Sequence, residues 1–161
     1  MDAPPKRYYE IDLTRPLRSV TSAAAEVRPI TANDLDGLAD LMYDAYFGTI
    51  DYEDETRQDA AEEVASYFDG EPMVEHSFLA NIDGRVASAV LVSLWRDSPF
   101  VGYVMTVPAH KNQGLGRLVV ATAMASLRQS GHARLQFFIT QGNTPSEALF
   151  ETLGAVHVPE A

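Results

Sequence analysis

Apolar positions along the chain recur at two different spacings, and the switches between them predict the order of elements. Glu26–Ile30 reads as a short strand. Leu35, Leu38, Met42 and Ala45 follow at helical spacing behind Thr31-Ala-Asn-Asp34, a capping-box-like start, and Gly48 is placed to close that helix. A second helix is predicted over about Glu55–Phe68, with Ala61, Val64 and Phe68 on one face and Gly70 and Pro72 past its end. Ser77–Ile82 and Arg85–Arg96 form a hairpin joined by Asp83-Gly84, residue types that accept the positive φ a tight turn needs. Alternation puts Val86, Val90, Val92 and Leu94 on one face of the second arm and Ala87, Ala89, Leu91 and Trp95 on the other. A strand apolar on both faces belongs in the middle of a sheet covered twice. Asp97-Ser98-Pro99 is expected to turn the chain into Phe100–Val107, where Gly102 signals a bulge or a close backbone approach by a ligand.

Beyond that strand the period changes back. Leu118, Val119, Val120, Ala123, Met124 and Leu127 leave little polar circumference on a helix over Gly116–Gln129, which Gly131 ends as a C-cap. Ala133–Thr140 alternates again, and Thr144-Pro145-Ser146-Glu147 opens a last helix that ends at Gly154. Near the N-terminus Tyr9, Ile11 and Leu13 alternate with Glu10 and Asp12 as a short strand would. The crossover from Val107 through the buried helix to Ile139 implies two parallel strands in an otherwise antiparallel sheet, an α+β fold with a mixed sheet.

Composition narrows the chemistry. The 161 residues suit one domain. With no cysteine there is no disulfide, thiolate metal site or cysteine nucleophile, and the four histidines are scattered without metal-ligand spacing. No apolar run approaches the ~20 residues of a membrane span and no signal-peptide core is present, so a cytoplasmic protein without membrane partners is expected. A net charge of −11 argues against nucleic acid and fits a cationic substrate or simple solubility.

Against this acidic background, His110, Lys111 and Arg117 surround Gly114-Leu115-Gly116, the turn between the Pro108-terminated strand and the long helix. Glycines let main-chain N–H groups approach a ligand, and a helix start adds unpaired N–H groups and partial positive charge. The combination is an anion site, usually for phosphate. There is no third glycine for a dinucleotide fingerprint and no Gly-Lys-Ser/Thr for a P-loop.

Lys111-Asn112-Gln113-Gly114-Leu115-Gly116, three residues past Pro108, resembles motif A of the GNAT-family N-acetyltransferases, Gln/Arg-x-x-Gly-x-Gly/Ala, with Lys111 in place of Gln/Arg. Asn143 through Gly154 is similar to the family's Asn-x-x-Ala-x-x-Leu-Tyr-x-x-Leu-Gly segment, matching at Asn143, Leu149, Leu153 and Gly154. The likeness is firm from about Val104 to Gly154 and rests on element order from Glu26 to Phe100. It implies an acyl-CoA N-acyltransferase fold with helices on both sheet faces. Residues 1–25 are read as an N-terminal extension, either a candidate extra strand by their alternation or a floppy segment, ahead of a family-like domain over 26–161 with a shortened end. Acetyl-CoA is the implied acyl donor, with no metal. Met105, Thr106 and Val107 would meet the pantetheine, Lys111 through Arg117 (with Asn112, Gln113, Gly114, Leu115 and Gly116 between) the pyrophosphate, and Asn143 the pantetheine arm.

The implied reaction is attack of a primary amine, on a small molecule or a peptide, on the thioester. A lysine-like amine is only about one part in 10³ neutral at pH 7, roughly 4 kcal/mol of barrier, so a proton acceptor or desolvation must help. Phe150 replaces the tyrosine that serves relatives as proton donor to the thiolate. Ser146, one turn earlier, and Tyr103 are the catalytic candidates in its place; Glu75 and His76 are further ones, and the acidic loop Asp51–Glu55 is expected to attract a cationic acceptor. A CoA-binding module without transfer activity, serving as a sensor or interaction domain, is the alternative. Only Ala155–Ala161 follows the last helix, which would leave a sheet edge open unless Tyr9–Leu13 or a second copy, as a homodimer, covers it.

Overall fold

The computed structural model describes residues 5–16, 20, 22, 24–47, 49 and 52–159; Gly48 and Asp51 lie outside them. In chain order the elements are β1 (Lys6–Asp12), β2 (Glu26–Pro29), α1 (Leu35–Tyr46), α2 (Arg57–Asp69), β3 (Phe78–Ile82), β4 (Arg85–Trp95), β5 (Ser98–Thr106), α3 (Leu115–Gln129), β6 (Arg134–Thr140), α4 (Thr144–Thr152) and β7 (Val156–His157). Short 3-10 turns occupy Ala32–Asp34, Val74–His76 and Pro108–His110. The strands form one sheet in the order β2-β3-β4-β5-β6-β1-β7. Every neighbouring pair is antiparallel except β5 and β6, the parallel pair implied by the crossover through α3.

Local chemistry accounts for most boundaries. Asp83 and Gly84 both take positive φ, at 51° and 78°, in the β3–β4 turn. The next turn is made by Arg96 and Asp97 (φ 48° and 61°), so β5 begins at Ser98 and Pro99 lies inside it rather than in the turn. Thr56, not Glu55, caps α2: its Oγ accepts from Asp59 N–H, while Asp59 Oδ2 accepts from Thr56 N–H at 2.8 Å. The buried stripe is Ala60, Val64 and Tyr67, and the expected Ala61 and Phe68 are only partly covered beside it. Asn143, one residue before the expected cap, closes the start of α4, its Oδ1 accepting from Ser146 N–H at 3.3 Å.

One face of the sheet packs against α3 and α4 through Ile11, Leu13, Val90, Val92, Val119, Val120, Leu135, Phe137 and Phe150. The other packs against α1 and α2 through Leu38, Leu41, Val64, Leu79, Ala89, Leu91 and Met105. Both faces of β4 are therefore covered, but Val86 does not share a face with Val90 and Val92. The register slips between Ala80 and Asn81, and this bulge sends Val86 to the α1 side and Ala87 to Leu115 and Leu118.

A second bulge matters more. Leu91 opposes Tyr103 and Val92 opposes Val101, which leaves Gly102 as the extra residue in β5. The parallel pairing with β6 stops at the same place: only Phe100–Gln136 and Val101–Phe137 pair. A bulge bends and twists its strand, and beyond Val101 β5 and β6 diverge. On the far side β6 is covered by β1, paired from Lys6–Thr140 to Asp12–Arg134, and the two-residue β7 pairs on β1 at Tyr9 and Glu10.

Candidate acyl-transfer site

The divergence of β5 and β6 opens a cavity of 480 Å³. Val101 to Val104 and Phe137 to Thr140 form its strand walls, Ser146 and Phe150 of α4 its floor, and α1, α2 and the segment between them its outer side. Such a volume falls in the range of small-molecule sites.

Main-chain groups on the β5 wall are available for pairing. Val107 N–H donates to Ala87 O at 2.9 Å. Because successive residues of a strand turn their peptide groups to opposite edges, Met105 and Val107 face β4, while Val104 and Thr106 face the gap. Of the three residues assigned to the pantetheine from sequence, Thr106 thus presents its main chain to the opening and Val104 joins it.

The glycine turn lies at the end of the same wall. An added Cβ on Gly116 would meet Thr106 Oγ1 at 3.6 Å and Leu149 at 3.7 Å, so this residue sits between the end of β5 and α4. Asn112 and Gly114 take positive φ (64° and 81°), and Gly114 is the N-cap of α3. No side chain caps this helix and no acidic residue occupies its first turn. Leu115 points inward and is buried against Leu118 and Ala87, leaving only its main chain toward a ligand. Lys111, Asn112 and Gln113 are exposed, with Gln113 held to His110 Nδ1 (3.3 Å). Arg117 carries a buried Nε with no hydrogen-bond partner. Uncapped amides, a bare glycine at a position where the fold leaves room for a Cβ, and an orphaned guanidinium nitrogen all fit a bound diphosphate.

A profile of the Acetyltransferase (GNAT) family matches residues 35–155. The chain belongs to the GNAT acetyltransferase family. A search of curated protein sequences gave no match. Among solved structures the chain is similar in fold to a GCN5-related N-acetyltransferase from Sphaerobacter thermophilus (TM-score 0.76, 13% identity, 95% of this chain), although it spans only 48% of that protein. It is similar to the ribosomal-protein-S18-alanine N-acetyltransferase from Escherichia coli (TM-score 0.67, 19% identity, 81% of this chain and 76% of that one). It is also similar to the PaiA N-acetyltransferase from Thermoplasma acidophilum, solved with coenzyme A (TM-score 0.64, 12% identity, 80% and 87%).

Within this GNAT domain the sequence-derived candidates do not all converge. Tyr103, Asn143, Ser146 and Phe150 line one cavity. Phe150 is 4% exposed and stacks on Phe137. His76 belongs elsewhere: its Nδ1 lies 2.7 Å from Ser126 Oγ on α3, its ring meets His132, and neither it nor Glu75 borders the cavity. Sequence reading missed Glu63. This carboxylate on α2 lines the cavity and accepts a hydrogen bond from the Tyr103 hydroxyl. Its signal was its place on the helix, three residues after buried Ala60 and four before buried Tyr67. Burial, reinforced by the hydrogen bond and charge of Glu63, pushes the Tyr103 phenol far above its ordinary range, so Tyr103 stays protonated and donates its hydrogen bond to Glu63.

Proposed function

We propose that the chain transfers the acetyl group of acetyl-CoA to a primary amine of a small molecule or peptide. What carries the reading is the opening between β5 and β6 beyond Val101, with the uncapped start of α3 at its end. The amides of Gly114 to Arg117 and the free Arg117 Nε would hold the pyrophosphate, with Lys111, Asn112 and Gln113 around it. Thr106 and Val104 would pair with the pantetheine along β5, joined by Asn143, with Met105 and Val107 fixing that strand against β4.

Bound this way, acetyl-CoA supplies an activated acyl carbon to the cavity. The amine nitrogen attacks that carbon, a C–N bond forms and the C–S bond breaks. Glu63 takes one proton from the incoming ammonium before attack, with the Tyr103 hydroxyl holding the carboxylate in place. The nitrogen loses a second proton as the amide forms, which balances the one taken by the departing sulfur. Phe150 offers no hydroxyl for that step, and the Ser146 hydroxyl on the same cavity floor is the group this chain has in its place.

Two measurements on one preparation test the reading: calorimetric binding of acetyl-CoA, and release of free thiol on adding a broad panel of amines. Binding with amine-dependent release is expected. Lack of acetyl-CoA binding overturns the proposal. Binding without release across the panel supports the second reading, a non-transferring acyl-CoA-binding module, which the missing hydroxyl at Phe150 favours.

A further inference from the structure

The outer half of the cavity, away from the glycine turn, is negatively charged and walled by phenol rings. Glu53 and Glu55 from the α1–α2 segment, with Asp59 and Glu63 from α2, all border it. Three of the four already have one oxygen positioned by the protein. Glu55 Oε2 accepts from Glu53 N–H (2.7 Å), Asp59 Oδ2 accepts from Thr56 N–H (2.8 Å), and Glu63 accepts from Tyr103. Among the described residues, no arginine or lysine forms an ion pair with any of the four, and Lys6 on the opposite wall is the only cationic side chain bordering the cavity.

Tyr43, Tyr46 and Tyr52 line the same side, each half-buried, and Phe47 bridges two of them, with ring centroids 5.6 Å from Tyr43 and 5.0 Å from Tyr52. Aromatic faces attract ammonium groups, and more so where water is thinned. A solvent-open cavity lined by four carboxylates, aromatic walls and a single cation is complementary to more than one positive charge, and its volume suits a small molecule.

Resting on the acetyl-transfer reading above, we infer that the acceptor is a small amine bearing at least two positive charges. One ammonium is placed at Glu63 and Tyr103, beside the bulge at Gly102 where the strands diverge. A second is held farther out by Glu53, Glu55 and Asp59. The reacting nitrogen gives its proton to Glu63, while the distal charge stays paired and sets orientation.

Calorimetry on the intact chain, with and without coenzyme A, compares n-butylamine, a linear triamine (spermidine) and a tri-cationic aminosugar at low and high salt. The multiply charged amines are expected to bind about tenfold or more tightly than the monoamine at low salt, with the advantage shrinking as salt screens it. In a Glu53→Gln/Glu55→Gln variant that advantage falls severalfold, while coenzyme A binding is unchanged. Preference between the linear and cyclic compounds distinguishes the two sources of this chemistry, and either result supports the class. Equal affinity for mono- and multiply charged amines overturns it, as does stronger binding of a carboxylate-bearing amino acid. A lysine-containing peptide that displaces both small amines also overturns it, in favour of a protein acceptor. Failure of acetyl-CoA to bind would remove the transfer reading and is seen separately, because the amine titrations without coenzyme A judge the charge preference on their own.

Discussion

Phe150 lies almost face to face with Phe137, ring centroids 4.1 Å apart and planes 26° from parallel. The pair closes the α4 side of the cavity with apolar rings, so under the proposed transfer reaction Phe150 offers no hydroxyl to the departing sulfur. Phe150→Tyr should leave acetyl-CoA affinity within about twofold and raise kcat by about tenfold, the low end of what a positioned proton donor supplies. Thiol release and calorimetry on the variant check both numbers. An unchanged kcat would show that proton delivery to sulfur is not limiting.

Glu63 and Tyr103 meet across the cavity from α2 and β5. Loss of a general base costs on the order of 10²-fold or more in rate, so Glu63→Gln should lower kcat by about that factor with little effect on acetyl-CoA binding. Tyr103→Phe should cost about tenfold or less, since the carboxylate remains. Tyr103 is held protonated well beyond the ordinary range of a phenol. Any alkaline limb of the pH–rate profile below about pH 10 should therefore survive in Tyr103→Phe. Disappearance of that limb would assign the titration to Tyr103 itself.

Gly114 and Gly116 are adjacent in motif but differ in what they need. Gly114 has φ +81°, and a side chain there is strained by roughly 1–2 kcal/mol. Gly116 lies in the first turn of α3, where an added methyl makes only ordinary contacts at 3.6–3.7 Å. Gly116→Ala should keep or raise stability, by up to about 1 kcal/mol, and yet weaken acetyl-CoA binding. Gly116→Trp should fold and fail to bind. Urea unfolding beside calorimetry separates the two effects, and a folded Gly116→Trp protein with unchanged affinity would contradict the placement of the diphosphate.

The readable parts of this fold are those in which a few consecutive residues decide their own geometry. Asp83-Gly84 predicted its turn because both residue types accept positive φ, and the apolar runs flanking Gly114 predicted the strand and helix on either side. The misreadings arose where a partner decides. Val86 changes face because of a register slip against β3, and the turn before β5 recruits Arg96, which carries no turn signature, beside the expected Asp97. Glu63 reads as one more charge on an amphipathic helix until α2 is docked beside Tyr103, forty residues away in sequence. The bulge at Gly102 was visible as a misplaced glycine, but its consequence, the end of β5–β6 pairing, is a property of the sheet.

Two buried titratable groups set opposite limits on stability. The Tyr67 hydroxyl bonds Ser77 Oγ (2.8 Å) and Val92 O (2.9 Å), and burial pushes its pKa up to about 12. An unfolded tyrosine ionises near 10, so between pH 10 and 12 the unfolded chain holds fewer protons and stability falls as pH rises. His76 is shifted down, chiefly by burial and also by His132, with Glu75 opposing. Its contribution is complete above the unfolded value of about 6.5 and is lost as pH falls through the lower folded value. Urea midpoints across pH should show both declines. Tyr67→Phe should make the alkaline one shallower, with the remainder coming from Tyr103, whose phenol is also shifted up, and His76→Gln, which retains a partner for Ser126, should flatten the acidic one.

β1 lies outside the span matched by the family profile, yet it is sewn into the sheet between β6 and β7. Leu13 N–H donates to Ala133 O (2.9 Å), Gln141 N–H to Pro5 O (2.8 Å) and Val158 N–H to Tyr8 O (3.0 Å). Ile11 (2% exposed) and Leu13 (0%) sit in the same core cluster as Leu135 and Phe137. A detachable arm would leave such positions indifferent to truncation, whereas a core strand makes them costly. Ile11→Ala should lower unfolding free energy by about 2–5 kcal/mol, as removal of a buried aliphatic side chain does. Deleting residues 1–13 should expose the β6 edge and promote self-association, because an uncovered strand offers a row of unpaired amides and carbonyls. Equilibrium urea unfolding and sedimentation read these outcomes. A wild-type midpoint for Ile11→Ala would mean that β1 is only laid against β6. The β6 wall of the cavity, Phe137 to Thr140, would then be positioned by the parallel contact with β5 alone.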